Sequence, residues 1–278
     1  MRITTVSTAL SRTATAAAAC TRSLLQNATA EYVASQRAGH ISISSLGSRV
    51  NYTENDVPVD IAAGVLSQPL RIDFSRSAGA PTTRRFIGTR MAFGGNGTIS
   101  AVESVVTDAG DWLFNATGYL YWNARERWDP IPAARRDTYA AVKAAGDAYF
   151  DRFASANVSV PFGPACARLE GGLYTDSRGS GDETCNLALP STVKVTNRRY
   201  VVDEEMGTVD IFVGFPGLDR SMGQRPVPDS QFFRVEGGKI RHIHTVSACF
   251  NAGCGENGSV PISRIRRPIT VTDSRRLW

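Results

Sequence analysis

Two of the chain's three histidines, His242 and His244, stand two residues apart in the stretch Lys239 to Ala248, where apolar and polar residues alternate. As a strand, this stretch puts Ile240, His242, His244, Val246 and Ala248 on one face and Arg241, Ile243, Thr245 and Ser247 on the other. Imidazole can give or take a proton near neutral pH, so on an apolar face His244 reads as an acid or base for cofactor-free proton transfer. His242 reads as a ligand-contacting neighbour. No third donor stands at a recognisable metal spacing, and no metal is expected. Two carboxylates could orient His244 or act in its place: Asp147, among Ala and Gly on a helical stretch, and Glu170, which precedes Gly171-Gly172 and Tyr174. The aromatics Trp112, Trp122 and Tyr174 could cradle a flat apolar ligand. The plainer alternatives are a core histidine bonded to a backbone carbonyl, surface carboxylates paired with arginines, and core aromatics.

Elements must hold these side chains. The spacing of Leu25, Ala28, Tyr32 and Val33 predicts a helix over Arg22 to Gln36, stopped at Gly39. A second is predicted over Thr138 to Phe153, capped by Asp137, with Tyr139, Val142, Tyr149, Phe150 and Phe153 as its apolar stripe. Alternation predicts strands at Val50 to Thr53, Arg85 to Phe93, Thr98 to Thr107, Asp111 to Trp122, Arg199 to Asp203, Thr208 to Phe215, Gln231 to Val235 and Lys239 to Ala248. Hairpin turns are expected at Gly94 to Gly97, Glu204 to Gly207 and Glu236 to Gly238. On the Asp111 to Trp122 strand, Trp112, Phe114, Ala116, Leu120 and Trp122 would share a face. The stretch Gly97 to Val105 echoes Gly238 to Val246, which suggests two helix-plus-sheet units, 20–130 and 131–254, meeting near Pro130-Ile131-Pro132. Residues 255–278 read as a mobile basic tail.

The composition, 278 residues with 42% hydrophobic and 21% charged, is that of a folded globular chain. No apolar run reaches the roughly 18 residues of a membrane-spanning helix, and no membrane contact is expected. The net charge of +5 sits at the ends. Residues 1–19 hold Arg2 and Arg12 and no acid, and residues 255–278 hold five arginines against Glu256 and Asp273, so the body is near neutral and a poor nucleic-acid binder. Arg2, the apolar Ile3 to Leu10 and Ala16 to Ala19 predict a secretory signal peptide over 1–19, with a transit peptide or a lipoprotein signal ending at Cys20 as alternatives. Six sequons, at Asn27, Asn51, Asn96, Asn115, Asn157 and Asn257, and five cysteines point to secretion. Cys166 and Cys185 are the preferred disulfide pair, and one thiol is left over.

The segments Gly110 to Ala116, Glu126 to Pro132, Arg136 to Thr138, Arg168 to Gly172 and Pro228 to Ser230 resemble a family of fungal secreted proteins that carry a domain of unknown function. The ending Phe233 to His244 resembles the last hairpin of SnoaL-like domains of the nuclear-transport-factor-type cone fold. This second resemblance implies an α+β fold in which a bent antiparallel sheet wraps helices and leaves a pocket, here as two related units in one body. It also implies either cofactor-free isomerisation, cyclisation or dehydration, or ligand binding alone. Many members of the fungal family are expected to carry a cysteine near Ser75 to Thr83, where this chain has none.

Signatures of serine hydrolases, nucleotide phosphate loops, zinc proteases and dinucleotide folds are absent from the sequence. The expectation is a cofactor-independent lyase or isomerase, of cyclase type, acting on an apolar small molecule in fungal secondary metabolism. The alternative is a non-catalytic secreted binding protein or effector.

Overall fold

The structure, a computed structural model, describes residues 21–254 apart from 73, 76–77 and 80–84. The expected signal segment, Cys20, the sequon at Asn257 and the tail 255–278 lie outside the described residues.

The first helix, α1 (Arg22–Ala38), begins where the Thr21 side chain accepts from the Leu24 N–H and ends at Gly39, whose φ of 64° is open to glycine at little cost. It buries Ala28, Tyr32, Ser35 and Gln36, while Leu25, expected on its apolar stripe, stays exposed. A first sheet follows: β1 (Leu46–Glu54), β2 (Val57–Pro58), β3 (Phe74–Ser75), β4 (Ala78–Gly79), β5 (Phe86–Phe93) and β6 (Ile99–Thr107), in the order β2-β1-β6-β5-β4-β3.

Asp111 to Trp122 is not a strand. The Asp108 N–H donates to the Asp111 carboxylate, Leu113 turns the chain at φ 51°, and Asn115 accepts from the Gly118 N–H to start α2 (Ala116–Asn123). The alternation there hides a helical period, since Ala116, Tyr119 and Asn123 are the residues that point inward.

The next helix, α3 (Tyr139–Arg152), is capped by Thr138, which accepts from Ala141 N–H, rather than by Asp137, whose carboxylate accepts from Gly238 N–H. Val142, Ala145, Tyr149 and Phe150 are buried, whereas Tyr139, the first residue of the helix, is exposed. Gly146 permits close approach: a Cβ there would come within 2.6 Å of Ile211 Cδ1.

The second sheet contains β7 (Phe162–Glu170), β8 (Leu173–Tyr174), β9 (Thr196–Asp203), β10 (Thr208–Pro216), β11 (Pro226–Glu236) and β12 (Lys239–Ser247), in the order β8-β7-β12-β11-β10-β9. Strand by strand, this repeats the first sheet. In both, a hairpin's first strand pairs in parallel with the last strand of a four-stranded meander, β1 with β6 and β7 with β12, and the other pairings are antiparallel. The fold is α+β, and the echoing segments fall on the equivalent strands β6 and β12. Each mainly antiparallel sheet thus has one parallel seam. Strand β7 had no clean alternation to read, because Pro164 and a left-handed Ala165 (φ 58°) interrupt it.

Strand β12 carries a bulge: Ile240 pairs with Val235 and His242 with Arg234, which leaves Arg241 as the extra residue. Ile240 therefore packs with Val209, Ile211, Phe233 and Ile243 under α3, on the opposite face from His242 and His244. Among the described residues no helix is long and apolar enough to cross a membrane.

Candidate functional site

Period-2 alternation gives the second sheet two different faces. Val209, Ile211, Phe233, Val235 and Ile243 face α3 and form the largest core. Toward the Glu170 end of the same face the side chains turn polar, and a cavity of about 310 Å³ opens between the sheet and Tyr149 and Phe153 of α3. Trp112, Phe215, Val193 and Leu218 supply further apolar wall. The register sets Glu170 beside Thr245, Thr245 beside Gln231, and Ser247 beside Asp229, so polar side chains from β7, β12 and β11 converge on one cavity.

Their hydrogen bonding is incomplete. Gln231 Nε2 donates to Asp229 Oδ2 at 3.2 Å, but Asp229 Oδ1, Gln231 Oε1 and Thr245 Oγ1 are buried and have no hydrogen-bond partner. Ser247 Oγ is a fourth such atom, and because buried polar atoms are normally satisfied, four orphan oxygens around one cavity are groups poised for a polar ligand or water. Burial pushes the Asp229 carboxyl up to about 8; the Gln231 hydrogen bond and the neighbouring Ser247 hydroxyl oppose this, and the Glu170 and Asp210 charges add to it. Asp229 is thus a neutral acid at pH 7, able to donate a proton or a hydrogen bond. Glu170, half-buried, stands 3.1 Å from the Nε of Arg168. That guanidinium is in turn fixed by donating to the Leu187 carbonyl at 2.6 Å and to Tyr149 Oη at 3.5 Å.

Gly171 and Gly172, at φ 54° and 114°, let the chain after Glu170 pass against the Trp112 segment. A Cβ on Gly171 would lie 2.2 Å from the Trp112 carbonyl oxygen, and one on Gly172 would lie 2.0 Å from that of Asn115. With Gly171 N–H donating to Thr245 O and Asn115 N–H to Gly171 O, this crossing holds Trp112 over the cavity.

His244 belongs to the opposite face. Its Nε2 contacts Glu126 Oε2 in a very short hydrogen bond, and its Nδ1 meets Tyr119 Oη at 3.2 Å. Trp128 Nε1 donates to the same Glu126 oxygen at 3.1 Å, and His242 Nδ1 lies 3.4 Å from the other. Burial would raise the Glu126 carboxyl, but the charge and hydrogen bond of His244 outweigh it and hold it below the usual range. Burial lowers His242 despite Glu126. Both His244 nitrogens are thereby engaged by protein groups.

The expected catalytic set is therefore not one site. Glu170 and Trp112 line the α3 cavity. Asp147 is tied on the outer face of α3 by Lys143, Arg198 and Tyr200, at 2.6, 3.0 and 2.8 Å, and does not approach His244. Trp122 stacks on Tyr174, with centroids 4.6 Å apart, beside Glu126 rather than in the α3 cavity. Asp229 was legible only as one acid among many, and Gln231 as a strand residue.

Cys166 and Cys185 form the expected disulfide, and Cys249 and Cys254 form a second. Glu183 and the first pair place donor atoms within 4.8 Å of one another, but those sulfurs are bonded to each other and are not thiolates. Asn27, Asn51, Asn96, Asn115 and Asn157 are all exposed.

Residues 135–247 match a domain of unknown function (DUF8021). The Arg136 to Thr138, Arg168 to Gly172 and Pro228 to Ser230 segments lie inside this match, while Gly110 to Ala116 and Glu126 to Pro132 lie outside it. No curated protein matches the chain. Among solved structures, the chain is similar to a hypothetical protein of ketosteroid isomerase-like fold from Catenulispora acidiphila in complex with trimethylamine, at 13% identity, 39% of this chain, 88% of that one and a TM-score of 0.30. It is also similar to a protein named as a polyketide cyclase from Xanthomonas campestris pv. campestris, at 14% identity, 38% and 89% coverage and a TM-score of 0.27. A third, named as a SnoaL-like polyketide cyclase from Jannaschia sp., matches at 11% identity, 42% and 90% coverage and a TM-score of 0.29.

Proposed function

We propose that the chain is a cofactor-independent acid–base enzyme that acts, in the α3 cavity, on an apolar small molecule bearing a carbonyl group. The observation that carries this reading is the set of unpartnered Asp229, Gln231 and Thr245 oxygens in a cavity that Trp112, Phe215, Val193 and Leu218 wall with apolar surface and that Arg168, Glu170, Arg220 and Ser247 also line. Asp229, held neutral, donates to the carbonyl oxygen, as a carboxylic acid in an apolar site can. Glu170, about two strand spacings or roughly 10 Å across the sheet, takes a proton from the carbon next to that carbonyl. The resulting enol regains the proton at another carbon, giving an isomer. Where a β-hydroxyl is present, it leaves as water with the proton that Glu170 took while the enol oxygen returns its proton to Asp229, giving an unsaturated carbonyl and restoring both acids.

The test is hydrogen–deuterium exchange next to the carbonyl of cyclic ketones and enones in D2O, followed by NMR with the wild type, Glu170→Gln and Asp229→Asn. Loss of exchange by about a hundredfold or more in either variant supports the reading. Binding without exchange would favour the secreted binding-protein alternative, and neither binding nor exchange would overturn both. We also propose a secretory-pathway location, supported by two disulfides and exposed sequon asparagines. Endoglycosidase treatment of natively expressed protein should lower its apparent mass, and an unchanged mass would count against it.

A further inference from the structure

A second cavity, of about 230 Å³, lies on the other face of the second sheet, where β5 and α1 pack against β10, β11 and β12. Its walls are mostly apolar, with Tyr32, Ile87, Phe232 and Val246 among them. Two acids, Asp203 and Asp210, reach it. The Asp210 carboxyl accepts from Ser230 Oγ at 2.8 Å and from the Ile211 backbone N–H, and among the described residues no cationic side chain pairs with it. The arrangement is built rather than incidental: a Cβ on Gly88 would fall 2.8 Å from Ser230 Oγ, so only glycine lets β5 press that hydroxyl against the acid.

The other titratable groups of this cavity are already used. Tyr32 Oη bonds Thr89 Oγ1 at 3.0 Å, Tyr119 Oη bonds His244 Nδ1, and Asp203 pairs with Arg22 at 2.8 Å. What remains is a carboxyl lacking a counter-charge among the described residues, together with aromatic faces. Carboxylates in such surroundings are stabilised by a paired cation, and ammonium groups are also drawn to aromatic faces.

We propose that this cavity is a second ligand site, for a small apolar molecule carrying a protonated amine, with its ammonium on Asp210 and its hydrocarbon body against Phe232, Tyr32 and Val246. The site is spatially separate from the α3 cavity, because Asp210 and Asp229 point to opposite faces of the sheet, with the Asp210 charge only a minor contributor to the raised Asp229.

Isothermal titration of the full chain with cyclohexylammonium, and with cyclohexanol as its neutral counterpart, tests this. The amine should bind at least tenfold more tightly than the alcohol. Asp210→Asn should weaken amine binding at least tenfold, whereas Asp182→Asn, at an exposed position, should leave it unchanged. Equal binding of amine and alcohol, no binding of the amine, or retention by Asp210→Asn would overturn the proposal.

A measurement on the wild type keeps the test open should Asp210→Asn fail to fold. Burial pushes Asp210 up to about 6, so amine affinity should fall about tenfold for each pH unit below that value. The facing titratable groups are Tyr32 on α1, Asp203 on β9, Tyr119 on α2 and His244 on β12. Binding on Asp203, whose carboxyl the Arg22 pair holds low, would instead stay flat down to pH 4 and would refute the assignment.

Discussion

Replacing Asp229 by asparagine keeps the shape of the side chain and removes its proton equilibrium. In the folded chain the carboxyl is almost fully buried and is pushed from 3.8 up to about 8, so it holds its proton at neutral pH, whereas the unfolded chain releases it. A folded pKa above the unfolded one contributes stability fully below the unfolded value and loses it as pH rises to the folded value. At pH 7 the wild type must keep a proton about three pH units above the acid's ordinary range, which at about 1.4 kcal/mol per unit costs about 4 kcal/mol. At pH 5 the same arithmetic gives about 2 kcal/mol. Asparagine carries none of this cost, so Asp229→Asn should be the more stable protein, by a margin that widens from pH 5 to pH 8. Against a typical total of 5–15 kcal/mol, this is a large effect for one atom pair. Asp210 titrates in the same sense, but it is present in both proteins and largely drops out of the difference. Urea unfolding of both proteins at pH 5, 6, 7 and 8, with midpoints compared at matched slopes, reads the margin directly. Stability differences that run parallel across this range would refute the raised acid and, with it, its role as a proton donor.

Three other outcomes follow from the packing. His244→Ala strips the buried Glu126 carboxylate of its short hydrogen bond and should cost about 3–5 kcal/mol in chemical unfolding, while turnover in the α3 cavity stays within tenfold of wild type; a fully stable but inactive variant would contradict this. Opening Cys166–Cys185, with a sequence separation of 19, should cost about 3 kcal/mol, and opening Cys249–Cys254, with a separation of 5, about 2 kcal/mol, so thermal melts of the double serine variants should rank in that order. Gly171→Ala, whose Cβ would meet the Trp112 carbonyl at 2.2 Å, should lose well over 2 kcal/mol and red-shift tryptophan emission, whereas Gly179→Ala, left-handed but with open space around it, should lose only about 1–2 kcal/mol.

Local physics was enough to write much of this fold in the sequence. Gly39, Gly97 and Gly237-Gly238 mark chain reversals because the turns there need a left-handed residue, and apolar alternation along Thr208 to Phe215 and Lys239 to Ser247 reports strands, which the fold then covers on both faces. The Cys166–Cys185 pair and the echo between the two terminal hairpins were legible for the same reason. Asp111 to Trp122 was misread because aromatic alternation and a short helix's period coincide over so few residues, and the Asn115 cap decides between them only once Gly118 N–H reaches it. Which face a strand residue takes depends on register, and the Arg241 bulge reversed Ile240 relative to the two histidines.

The chemistry was decided at longer range still. Glu126 meets His244 across 118 positions of sequence, and Glu170, Arg168, Gln231 and Asp229 share a cavity only because β7 returns in parallel beside β12. An aspartate's composition says nothing of its proton affinity. The apolar packing that excludes water around Asp229 sets that affinity, and this packing exists only in the assembled sheet and helix.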